Sequence, residues 1–93
     1  MRRIDAHGKF RRDLKRALKG KHRQNIASEL DHLIALLAAD SPIPVYHRDH
    51  ALSGDWKDHR DCHVKPDLVL IYRKLDETTL QLIRLGSHSE LGW

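Results

Sequence analysis

The spacing of apolar side chains changes once along this chain, and the change confines the fold to helices followed by sheet. From Gly8 to Leu18 the apolar residues fall at Phe10, Leu14, Ala17 and Leu18, the repeat of one helix face. Most other positions there are Lys or Arg, which gives the helix a core stripe and a cationic outer face. Gly20 can supply a left-handed residue to end it. Over residues 22–39, the spacing of Ile26, Leu30, Leu33, Ile34 and Leu37 predicts a second helix, and the tight link between the two predicts a helical hairpin. Asp40-Ser41-Pro42-Ile43-Pro44 stops it, because neither proline can donate a backbone hydrogen bond. Beyond the prolines, Trp56, Asp58, Arg60, Cys62 and Val64 share one face of a predicted strand, and Lys57, His59, Asp61 and His63 share the other. Leu68-Val69-Leu70-Ile71-Tyr72 is a continuous apolar run between the turn signals Pro66-Asp67 and Leu75-Asp76-Glu77-Thr78, which suits a strand covered on both sides. Thr79 to Leu85 predicts a final strand and residues 2–6 a short first one. The layout is α+β, with two N-terminal helices packed on a small, mostly antiparallel β-sheet in one domain over residues 1–93.

Composition removes several classes. No apolar run approaches the roughly 20 residues that span a bilayer. The start, Met-Arg-Arg-Ile-Asp, lacks the apolar stretch of a signal peptide, and the lone Cys62 fits a reducing compartment, so the expectation is a cytoplasmic protein with no membrane partner. Charge is unevenly placed. Residues 1–24 hold ten Lys or Arg against Asp5 and Asp13, whereas the remainder is mildly acidic. That asymmetry suits a polyanionic partner, although a solvated basic helix would carry the same charges.

Eight histidines in 93 residues are unusual, and five of them (His47, His50, His59, His63, His88) lie in the C-terminal half. A zinc site could draw on His47 with His50, or His59 with His63, completed by Asp or Cys62, but no paired-cysteine motif is present and the expected metal content is none. The alternative is acid–base chemistry without a metal or other cofactor. RNA cleavage needs a base for the ribose 2′-hydroxyl, an acid for the leaving 5′-oxygen and cations to offset phosphate charge. His50, His63 and His88 with Asp67 and Arg84 could supply every part. Ser87-His88-Ser89-Glu90 matches the capping-box pattern and would place His88 in the first turn of a short helix, near backbone N–H groups that favour an anion.

The stretches Asp49-His50-Ala51-Leu52-Ser53-Gly54-Asp55-Trp56-Lys57, Arg60-Asp61-Cys62-His63-Val64-Lys65-Pro66-Asp67, Leu70-Ile71-Tyr72 and Arg84-Leu85-Gly86-Ser87-His88 occur in one order across about residues 42–91. Together they resemble the YafQ branch of the RelE toxin superfamily, and Phe10-Arg11-Arg12-Asp13-Leu14-Lys15 stands where that family has its first helix. The resemblance implies a RelE-like fold and a toxin of a type II toxin–antitoxin pair that enters the ribosomal A site and cuts mRNA there without metal. It implies a catalytic set of His50, His63, Asp67 and His88, with His88 as general acid and either His50 or His63 as base, and Arg84 stabilising phosphate charge. Lys9, Arg11, Arg12, Lys15, Arg16 and Lys19 on the first helix, with Lys57, Arg60 and Trp93, are the candidate contacts to ribosomal or messenger RNA. A cognate antitoxin would bind the toxin in a hetero-oligomer. Two positions depart from the family pattern: Leu68 stands where many relatives carry an aromatic after the aspartate, and the chain reads Leu91-Gly92-Trp93 where they end in Phe. Trp93 would then replace the missing ring. A binding-only relative without cleavage, or a small zinc module, are the alternatives.

Overall fold

The computed structural model describes residues 1–20 and 23–92. Its elements run β1 (Arg3–Ala6), α1 (Gly8–Leu18), α2 (Ile26–Ala38), β2 (His50–Ala51), β3 (Arg60–Lys65), β4 (Leu68–Asp76) and β5 (Thr79–Gly86), with 3-10 turns at Val45–His47 and Gly54–Trp56. The five strands form one sheet in the order β1-β5-β4-β3-β2. Only the β1–β5 pair is parallel, so the mostly antiparallel α+β layout expected from the apolar pattern is the one observed. No helix among the described residues is long and apolar enough to cross a membrane.

Local chemistry explains the boundaries, and several differ from expectation. Gly20 is not left-handed; α1 ends instead in a tightened turn, with the N–H groups of Lys19 and Gly20 donating to the carbonyls of Arg16 and Ala17. The second helix begins at Ile26 rather than near residue 22, which itself lies outside the described residues, and residues 19–25 separate the helices. Its C-terminus closes with a left-handed residue, Asp40 (φ 55°), while Ser41 N–H donates to the Leu36 carbonyl at 2.9 Å and Asp40 N–H to Leu37 at 3.2 Å. The alternation expected from Trp56 onward holds only from Arg60, because Asp58 (φ 72°) breaks the extended chain after the Gly54–Trp56 turn.

One face of the sheet is covered by the helices, and the other is buried only around Asp61, Val69 and Ile71. Phe10 from α1 and Ile26, Leu30, Leu33, Leu37 and Ala38 from α2 pack against Cys62, Val64, Leu68, Leu70, Tyr72, Leu80, Leu82 and Leu85. Val69 and Ile71 are also fully buried, yet alternate with those core residues along β4 and so face the opposite side. On that side the register aligns His50 with Asp61, Asp61 with Ile71 and Ile71 with Arg84, and the next row aligns His63 with Val69 and Gly86. Paired residues project to the same face. A shift in the β4–β5 register between Ile71 and Tyr72 lies beside Arg84.

Candidate active site

Asp61 occupies the centre of this second face. It is 1% exposed, and its Oδ1 has no aligned hydrogen-bond donor among the described residues. His50 Nδ1, on β2, approaches that oxygen to 3.1 Å and the Arg48 carbonyl to 2.7 Å. Burial pushes the Asp61 carboxyl above the usual carboxylate range, while His50, His63 and His88 pull it back and Asp49 adds to the rise. The imidazoles of His63 and His88 sit with ring centroids 5.6 Å apart, and His63 Nδ1 lies 3.1 Å from the Pro66 carbonyl. Three of the sequence-predicted residues, His50, His63 and His88, therefore converge on a carboxylate that sequence reasoning did not select. Its sequence signals were strand parity shared with His63 and a place in the Arg60–Asp67 stretch. Asp67 stands at the β3–β4 turn and lines a cleft of about 560 Å³ with Leu68, Ser87, Ser89, Glu90 and Arg16.

His50 is held by the residue before it. Asp49 accepts a hydrogen bond from the buried Tyr72 hydroxyl and two from Arg60, at 3.3 Å each from Nε and Nη2. Burial and the bond to Asp49 push the Tyr72 hydroxyl well above its ordinary range. Arg60, a candidate RNA contact, is thus paired with Asp49 and keeps 41% of its side-chain surface exposed.

Arg84 is held from α1. Beyond Leu82 the edge of β5 has no β1 partner, and Asp13 fills the gap, accepting Leu85 N–H at 3.0 Å and Arg84 Nε and Nη2 at 2.7 and 3.3 Å. Burial alone would raise the Asp13 carboxyl, but the bonds from Arg84 and Leu85 outweigh it and hold the group below its usual range. Arg16 bridges Asp13 and Glu90, each at 3.1 Å. Glu90 in turn accepts Ser87 N–H at 2.8 Å, and Ser87 Oγ accepts Glu90 N–H at 3.1 Å, the reciprocal capping pattern expected from the sequence. The segment it caps is a turn over residues 88–92, not a helix, so His88 gains no helix N-terminus. Lys9, Arg12 and Arg16 line a depression with Arg84, and Trp56 lines a second beside Lys9, Arg12 and Ile83. Arg11, Lys15, Lys19 and Lys57 are exposed, and Trp93 lies outside the described residues.

The metal sets considered from sequence do not assemble. Cys62 faces the core with its thiol pushed up by burial, and His47 Nδ1 sits 2.6 Å from the His63 carbonyl. Among the described residues no three His, Cys, Asp or Glu side chains are grouped to hold a metal ion.

The family model described as "Bacterial toxin of type II toxin-antitoxin system, YafQ" matches residues 2–92. The chain belongs to the YafQ toxin family. It is 40% identical over 89 residues to the mRNA interferase toxin YafQ of Escherichia coli K12, covering 95% of this chain and 92% of that one. A metal-bound toxin from Helicobacter pylori shares 43% identity at a TM-score of 0.87, over 98% of this chain and 99% of that one. A crystal structure of the Escherichia coli DinJ–YafQ complex matches at a TM-score of 0.84 and 37% identity, over 100% of both chains. The resemblance drawn from the ordered motifs and the fold it implied are thus both met, and this YafQ-family chain is a type II toxin.

Proposed function

We propose that this toxin is a ribosome-dependent endoribonuclease that cuts mRNA in the A site by histidine acid–base catalysis. The observation that carries the reading is the convergence of His50, His63 and His88 around the buried Asp61, with Arg84 at the far end of the same row. In the proposed reaction an imidazole of His50 or His63 takes the 2′-hydroxyl proton, and the 2′-oxygen forms a bond to phosphorus. The phosphorus–5′-oxygen bond breaks, and His88 gives its proton to the departing oxygen. Arg84 uses Nε and Nη2 on Asp13, which leaves Nη1 to meet phosphate charge as it develops. Asp67 lies next to the carbonyl that orients His63 and is read as part of the same site. The exposed cations of α1 would track RNA phosphates. The relatives are named mRNA interferases, and one is solved with DinJ, which supports mRNA as substrate and a cognate antitoxin as partner.

The test is a translation reaction with purified ribosomes and a defined mRNA, mapping 5′ ends with and without the protein. Cuts at fixed places within codons that are absent on naked RNA support the reading. Ribosome association with intact mRNA would favour the binding-only alternative.

A further inference from the structure

One large aromatic side chain has no part in the core or in the proposed reaction. Trp56 is half-buried and lies outside both the core cluster and the residues packed on it. Its ring is set by the local chain instead. Trp56 N–H donates to the Ser53 carbonyl at 3.2 Å, and His59 N–H donates to the Trp56 carbonyl at 3.0 Å. The His59 imidazole stands nearly perpendicular to the indole, with ring centroids 5.4 Å apart.

Trp56 lines a depression of about 540 Å³ with Ile83 and Arg84 of β5 and with His7, Lys9 and Arg12 at the start of α1. Successive residues of a regular strand point to opposite faces. Ile83 and Arg84 reach the same depression because β5 is irregular here. Tyr72 pairs with Leu82 and Ile71 with Arg84, which leaves Ile83 as an extra residue. The bulge thus sets an apolar side chain and a cation together beside the indole.

No carboxylate lines the depression. Lys9 and Arg12 are exposed and form no ion pair among the described residues. Arg84 gives Nε and Nη2 to Asp13, and His7 has a carboxylate, Asp5, only at 3.9 Å. The first turn of α1 holds no acid. Cations at that end of a helix oppose its dipole, so these charges weaken α1 until an anion meets them. An acidic peptide would answer the cations but offer nothing to the indole. A nucleotide answers both, with a flat base for the aromatic face and phosphates for the cations. We propose that this depression binds one nucleotide of single-stranded RNA, its base stacked on Trp56 and its flanking phosphates on Lys9 and Arg12. Along β5, Gly86 in the His63 row follows Arg84 by two residues, whereas Ile83 precedes it. The site therefore lies across Arg84 from the histidines and holds RNA away from the reacting atoms. It rests on the proposed action on RNA and assigns Trp56 to binding alone.

Two measurements on the full chain test this. With Trp93→Phe, Trp56 is the one tryptophan left, and its fluorescence reports the site directly. A short oligoadenylate should quench it to saturation, more weakly as salt rises and more weakly still in Lys9→Ala or Arg12→Ala. No quenching, or equal quenching by poly-glutamate, overturns the proposal. In the ribosome assay, Trp56→Ala should raise KM about 5- to 100-fold, the effect of losing one base stack, with kcat within about twofold and Trp56→Phe close to wild type. An unchanged KM, or a loss confined to kcat, overturns it. Weaker binding of Trp56→Ala to ribosomes without mRNA identifies a ribosomal nucleotide, weaker binding only with mRNA present identifies a messenger nucleotide, and no weakening overturns the site. If the wild type cuts nothing, the cleavage reading fails, and the fluorescence titration still decides the nucleotide site.

Discussion

Asp13 gives the sharpest test of how the site is held together. Its carboxylate is 4% exposed and receives four hydrogen bonds, one from Leu85 N–H, two from Arg84 and one from Arg16. Asp13→Ala leaves the buried Leu85 N–H unpaired and the Arg84 guanidinium without its counter-charge. Removing one partner of a buried pair costs about 3–5 kcal/mol. Arg84 keeps 22% of its side-chain surface in water, which puts the expected loss at the low end, about 3 kcal/mol. A chain of this size has only about 5–14 kcal/mol in total, so urea unfolding should show a large drop in midpoint with an unchanged slope. Asp13→Asn should lose roughly half as much, because its amide oxygen can still accept Leu85 N–H. Since the native carboxyl sits below its ordinary range, the wild type loses this contribution as pH falls beneath about 4, and the Asn variant should show a shallower acid dependence there. Both variants should also cut more slowly, through misplacement of Arg84. A loss under about 1 kcal/mol for Asp13→Ala would refute the account of the β5 edge.

Further outcomes follow from the same geometry. Burial holds the Asp61 carboxyl above its usual range, so the charged form weakens the fold at neutral pH, and Asp61→Asn should melt no lower than wild type in calorimetry at pH 7. His88→Ala should reduce cleavage by ~10²–10⁴-fold with no more than a small change in melting temperature, because His88 is exposed on a terminal turn. Glu90→Ala removes the acceptor of Ser87 N–H and the bridge to Arg16, and hydrogen exchange at Ser87 should quicken as about 1 kcal/mol of local order is lost. Cleavage should be unaffected by EDTA once the ribosomes' magnesium is restored, since the proposed proton transfers use imidazoles alone.

Much of the architecture was legible because it obeys a local period. Phe10 and Leu14 on α1, the Ile26–Leu37 repeat on α2 and the Leu68–Tyr72 run all sit where their spacing required. The two-residue β2 was not legible, since His50-Ala51 is too short to carry any period and exists only by pairing with Arg60 and Asp61. The site was half visible. His50, His63 and His88 stood out by residue type, whereas Asp61 was placed only on the strand face it shares with His63. What buries it is a face assembled from β2, β3 and the C-terminal turn, contacts that span tens of residues. The ion pairs of Arg16 and Arg60 with residues outside their own elements were hidden for the same reason. Their sequence context is that of free surface cations, and their partners Glu90 and Asp49 lie 74 and 11 residues away.

The parallel pairing of β1 with β5 also sets the order of assembly. Translation makes β1 long before its partner, Thr79–Leu82, and Arg84 and His88 follow that partner. Helices and the β3–β4 hairpin can form as they emerge, but the sheet cannot close until its final strand is free. The row that carries Arg84 is therefore completed only when a strand made long after β1 has taken its place between β1 and β4.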